Sequence, residues 1–117
     1  MTQRTAKIDS QIQHLLMELF QREMKDPRLG FVTVTRVETS RDLGHARIWV
    51  SVLGSKDERE RSMQALATAT PWLRRRVAEQ LQLRAAPQLS IRHDEAMEAG
   101  NRVLELLHEI DREGRNE

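Results

Sequence analysis

Between residues 4 and 24, Ile8, Ile12, Leu15, Leu16, Leu19 and Phe20 recur at helical spacing, while Gln11, Gln13, Glu18 and Arg22 fall mostly elsewhere on the wheel. The spacing predicts an amphipathic helix with one buried stripe. It should stop at "KDPRLG", where Pro27 biases Asp26 away from helical geometry and Gly30 can take a positive φ. From residue 31 the period changes. "FVTVTRVE", residues 31 to 38, is rich in β-branched side chains and alternates at Val32 and Val34; Val37 breaks the alternation, which points to a bulge. After "TSRDLG", residues 45 to 53 set Ala46, Ile48, Val50 and Val52 on one face against Arg47, Trp49 and Ser51 on the other. Two strands so close in sequence predict an antiparallel hairpin.

"SKDE" then has the form of a capping box, with Ser55 accepting from the backbone and Glu58 reaching back. The helix it starts carries Met63, Leu66, Ala67 and Ala69; beyond them Leu73, Val77 and Leu81 repeat every four residues. Pro71 lies between the two sets. Because proline costs about 3 kcal/mol inside a helix and little at its first position, the sequence predicts a break, with Thr70 as N-cap and Pro71 opening a second helix. A third strand, "QLSIRH", follows Pro87, and the long helical crossover predicts that it lies parallel to the second, with a right-handed connection. Asp94 is a candidate N-cap for a last helix, about residues 95 to 110, that would bury Met97, Leu104, Leu107 and Ile110. The expected architecture is an α+β domain: helix, strand, strand, two helices about a break, strand, helix. The helices should cover one face of a three-stranded sheet and leave Arg47, Trp49 and Arg36 on an open face.

Composition narrows the function. The chain has 117 residues, enough for one domain, with two Trp, two Phe and no Tyr, so the core must be aliphatic. There is no cysteine, which excludes disulfides, thiolate nucleophiles and cysteine-based zinc sites. No apolar run approaches membrane-spanning length and the first residues, "MTQRTAKIDS", lack the apolar centre of a signal peptide, so a cytosolic protein is expected. The net charge of +1 conceals an asymmetry: residues 1 to 92 hold 16 Lys and Arg against 10 Asp and Glu, whereas residues 93 to 117 hold 3 against 8. A basic body with an acidic extension suits a polyanion ligand.

Arg74, Arg75 and Arg76 lie just after Pro71, where the exposed amides of a new helix already make the end positive. An anion docking there would reverse the sign of that interaction. Against this, three consecutive helical residues fan over roughly 200°, and Arg75 has Glu79 within pairing distance on the same helix. Trp49 and Trp72 suit either half-buried core positions or base stacking.

Two stretches, "DPRLGFVTVTRVETSRDLGHARIWVSVLG" from Asp26 to Gly54 and "LRRRVAEQLQLRAAPQLSIRHD" from Leu73 to Asp94, resemble the bacterial ribosome-binding factor A family, cold-shock-associated assembly factors of the small ribosomal subunit. The resemblance runs over about residues 5 to 107. It implies a type II KH domain, helix-strand-strand-helix-helix-strand, spanning residues 1 to 110 with a short charged tail at 111 to 117. KH domains usually hold single-stranded RNA through a Gly-x-x-Gly loop. The family replaces that loop with a kink, typically Ala-x-Gly, and here Ala69-Thr70-Pro71 stands in its place, with proline departing from the pattern. The resemblance further implies a non-catalytic monomer without cofactor that binds 16S rRNA on the free 30S subunit or its precursor and not the complete 70S ribosome. It would assist late maturation, including 5′-end processing, and be released with the help of a separate GTPase. The residues it points to are Arg74, Arg75, Arg76 and Arg84 around the kink and Arg28, Arg41 and Arg47 in the first stretch; Arg41 and Asp42 could equally pin the hairpin connection.

Two other classes compete. An enzyme could be built on His45, His93 and Asp94, although these have no ligand spacing of known meaning. An oligomerisation module could use the stripe of Leu104, Leu107 and Ile110 and would show a concentration-dependent mass.

Overall fold

The computed structural model describes residues 3–96. Helix α1 spans Gln3–Glu18 and runs into one wider turn at Leu19–Glu23, closed by the Met24 amide donating to the Leu19 carbonyl at 2.9 Å. That turn ends the helix on a doublet, Leu19 and Phe20, both buried beside Ile12, Leu15 and Leu16. Strands β1 (Phe31–Thr39) and β2 (His45–Leu53) pair antiparallel, and β3 (Gln88–His93) joins β2 in parallel, giving the order β1-β2-β3. Between β2 and β3 lies α2, Lys56–Leu81.

The bulge expected near Val37 is present as a register shift between Val34 and Arg36. Helix α1 covers it: Gln13 Nε2 donates to the Val34 carbonyl at 3.0 Å, and the Val34 amide lies 3.1 Å from Met17 Sδ. Further along the same helix, buried Asp9 accepts from the amide of Thr39 at 2.9 Å and from the Thr39 hydroxyl. The hairpin connection is held by Asp42, whose carboxylate accepts from the Gly44 amide at 2.9 Å and the Ser40 hydroxyl at 2.7 Å. The capping box of α2 forms with both halves present. Just before it, Gly54 has φ of +134°, and a Cβ there would meet the Glu58 carboxylate at 2.7 Å, so the turn into α2 requires glycine.

The predicted break at Pro71 does not form. Helix α2 is continuous through residues 56–81, and Thr70, expected as an N-cap, donates its hydroxyl to the Leu66 carbonyl at 2.9 Å inside the helix. Pro71 costs only its own rung, the bond it cannot give to the Ala67 carbonyl, while the turns on either side persist. The reason is packing. Ser62, Leu66, Leu73 and Val77 are fully buried on one stripe, joined by Ala69, and that stripe keeps its phase across the proline. The helix ends at Gln82, in left-handed geometry at φ 54°, where its amide reaches the Ala78 and Glu79 carbonyls.

Both helices pack on the face carrying Ala46, Ile48, Val50 and Val52. The opposite face carries Arg47, Trp49 and Arg36, as expected. Asp94 accepts from the Ala96 amide at 3.1 Å, the pattern of an N-cap; the remainder of the expected last helix lies outside the described residues.

Candidate nucleic-acid interface

The first wall of the site is α2 around Pro71. Ala65 is fully buried at the floor of this wall, half-buried Ala69 lies one turn on, and Trp72 stands beside them, half-buried against the core. The second wall is the segment from Met24 to Arg28, which follows the wide turn of α1. Ser62 fastens the two walls together: its hydroxyl accepts from the Gly30 amide at 2.9 Å and donates to the Arg28 carbonyl at 3.4 Å. Between the walls is an open groove of about 590 Å³. The fold thus brings Lys25 and Arg28, which follow α1, alongside Ala69 and Trp72 of α2.

The arginines divide sharply by what they already hold. Arg74 is half-buried and donates through Nε to the Pro87 carbonyl at 2.9 Å and through Nη2 to the Ala86 carbonyl at 3.1 Å, clamping the connection into β3. Arg76 reaches back to Glu23, at 3.1 Å, and lies 3.9 Å from Glu79. Glu79 therefore faces Arg76, not Arg75, and Arg75 is exposed with no ion pair among the described residues. Arg28 forms a two-pronged pair with Asp26, at 2.7 Å and 3.1 Å. This hydrogen bond holds the Asp26 carboxyl below the usual carboxylate range and raises Arg28. Arg41, Arg47 and Arg84 are exposed and carry no ion pair among the described residues.

Of the residues named from the sequence, Ala69 and Arg28 line the groove; Arg75 follows on the next turns of α2, and Arg84 lies just beyond its end. Arg41 is in the hairpin connection and Arg47 on the open sheet face, away from the groove. Sequence reasoning missed Lys25 and the acidic partners Glu23 and Asp26. Asp26 was detectable, because a carboxylate two residues before an arginine in a turn is well placed to pair with it; Glu23, 53 residues from Arg76, was not.

His45 and His93 do not assemble a centre. His45 pairs with Gln88 at one end of the β2–β3 ladder and His93 with Val50 at the other, five residues or about 16 Å apart. His45 Nε2 instead meets Ser90 Oγ at 2.9 Å, and Asp94 accepts from the Thr35 hydroxyl at 2.7 Å. Among the described residues no group of three or more potential ligands could hold a metal ion, and no helix is long and apolar enough to cross a membrane.

Residues 4–107 match the family model for ribosome-binding factor A. Among solved structures, the chain is similar to a putative ribosome-binding factor A of Thermotoga maritima, solved in solution, with 40% identity and a TM-score of 0.67 over 76% of this chain and 85% of that one. It is also similar to the crystal structure of ribosome-binding factor A from Thermus thermophilus, with 28% identity, a TM-score of 0.65, and coverage of 74% and 92%. A further match is a homology model of the Thermus factor fitted into a cryo-electron microscopy map of its complex with the 30S subunit: 28% identity, TM-score 0.61, coverage 74% and 90%.

Proposed function

This chain belongs to the ribosome-binding factor A family, whose members are non-catalytic assembly factors, and from that premise we propose that it binds the free 30S subunit or its precursor and assists late maturation of 16S rRNA, including its 5′ end. The observation that carries this reading is the fit of the Thermus relative into the map of a 30S complex, since that relative shares the α2 groove's supporting fold over most of its length. In this chain the groove beside Pro71 would take the RNA backbone. The small side chain of half-buried Ala69 permits close approach, Trp72 offers a ring face, and Lys25, Arg75 and Arg84 supply positive charge that no carboxylate among the described residues neutralises. Ala69, Thr70 and Pro71 stand here inside one continuous helix, in the place of the KH loop.

The chain works as a monomer in the cytoplasm, its type II KH unit spanning residues 1 to 110. It distinguishes the free subunit from the complete 70S ribosome and leaves with the help of a separate GTPase.

The test is co-sedimentation with free 30S subunits and with 70S ribosomes across a salt series, comparing the parent with Arg75→Glu/Arg84→Glu. These two arginines are exposed and hold no ion pair among the described residues, so the variant should keep its fold. The parent should pellet with free subunits only. Losing two phosphate contacts should make the slope of log K against log salt shallower by about 1.4. Equal pelleting of both proteins with one slope would move the contact away from α2, and failure of the parent to pellet would end the assembly-factor reading.

A further inference from the structure

The solvated face of an antiparallel pair ordinarily carries polar side chains. Here it does not. At one end Phe31 and Leu53 are direct register partners and are 61% and 69% exposed, the exposed large hydrophobic residues of the described chain. Two same-face positions along β2 from Leu53, or about 13 Å away, stands Trp49. Its neighbours across the sheet are both cationic: Arg36 on β1 and Arg92 on β3 are its register partners. The Arg36 guanidinium lies over the indole, 3.8 Å from the ring centroid. Arg47, the next residue of β2 on the same face, adds a third guanidinium. Against these three, the strand residues of this face include one carboxylate, Glu38, which lies 3.6 Å from Arg36. Arg47 and Arg92 are exposed and have no ion pair among the described residues.

We propose that this open sheet face is a second binding surface, for single-stranded RNA, on the opposite side of the sheet from the α2 groove. The inference rests on the reading of the protein as an RNA binder. A sheet face that presents an aromatic ring flanked by arginines matches the two features of an unpaired RNA strand, a π-face on every base and a charge on every linkage. The Trp49–Arg36 pair forms the stacking platform, because a guanidinium already held over an indole adds its own face to the surface a base can meet. Arg47 and Arg92 take the flanking phosphates, and Phe31 with Leu53 gives an apolar seat further along the strand. The charge decides against a protein partner: an ordinary apolar interface would bury two unpaired guanidinium groups without compensation. With the groove on the helical side, the two surfaces would let one small domain hold two RNA segments at once.

Trp49 is its own reporter. In a Trp72→Phe variant it is the sole tryptophan, and its emission is followed while a short single-stranded oligoribonucleotide is added, with fluorescence anisotropy of the labelled RNA recorded in parallel. Saturable quenching is expected, coincident with the anisotropy change and weakened by salt. Arg47→Glu/Arg92→Glu should weaken it tenfold or more and make the salt slope shallower by about 1.4, with the circular dichroism spectrum unchanged. Bound RNA that leaves Trp49 emission untouched would overturn the proposal, as would RNA that does not bind. Equal quenching by polyglutamate would also overturn it, because charge alone would then be recognised. Co-sedimentation of the parent with 30S subunits separates these failures from failure of the assembly-factor reading.

Discussion

Replacing Pro71 with alanine should make the protein more stable. Within α2, residue 71 is an interior position, with eleven residues before the missing Ala67–Pro71 rung and ten after it, so the comparison with a helical host is direct. Proline is about 3 kcal/mol less favourable than alanine in a helix interior. Part of that is returned by the unfolded chain, which gains freedom when proline is removed, by about 0.4–1 kcal/mol. The expected net gain is about 2 kcal/mol, or a rise in melting temperature of order 10 °C for a domain of this size. Urea unfolding followed by circular dichroism should show a higher midpoint with an unchanged m-value. The same variant should bind 30S subunits more weakly, because restoring the Ala67 rung changes the wall that carries Ala69 and Trp72. An unchanged or lower midpoint would refute the reasoning: the local geometry would then be imposed by Leu66 and Leu73 packing on the sheet, with the proline merely fitting it.

Ser62→Ala removes the acceptor of the Gly30 amide from a site that is 0% exposed, and should cost about 1–3 kcal/mol in urea unfolding; a loss below about 0.5 kcal/mol would mean that the two groove walls are not joined there. Asp42 is held below its ordinary 3.8 by the Gly44 amide first and the Ser40 hydroxyl second. A carboxylate depressed in the folded state contributes stability that is complete above the unfolded value and is lost as pH falls through the folded one. Carboxyl chemical shifts should therefore give Asp42 a midpoint below 3.8, and the hairpin connection should loosen only below that pH; a midpoint at or above 3.8 would refute it.

Much of this fold is legible because its elements are periodic. The alternation from Ala46 to Val52 could bury only one face of β2, and the capping box at Ser55 and Glu58 could start only a helix. The break at Pro71 misled for a physical reason: proline is tolerated at a helix start and, where packing demands it, inside a helix, and Thr70 can serve as a cap or bond back to Leu66. Local sequence does not separate these. The deciding signal was longer in range, since the buried positions 62, 66, 73 and 77, with half-buried 69 between them, keep one phase across the proline. A true break would have let that phase slip.

The arginines were harder, because a guanidinium's charge belongs to one residue and its commitment to two. The helix dipole makes Arg74 look misplaced at the start of a helix, and so suggests a ligand. In the continuous helix there is no such end, and Arg74 instead satisfies the carbonyls of Ala86 and Pro87, which precede β3 and have no ladder of their own to join. Arg76 is likewise spent on Glu23, the last residue of the wide turn. Charge reversal at all three arginines after Pro71 would therefore release the β3 connection and the turn together, and a loss of RNA binding in that variant would report unfolding as readily as contact. Among the described residues, the positive charge available to a polyanion is the fraction left over, which includes Lys25 in the groove, Arg75 and Arg84 on and just beyond α2, and Arg47 and Arg92 on the sheet. These are the positions at which a substitution separates binding from folding.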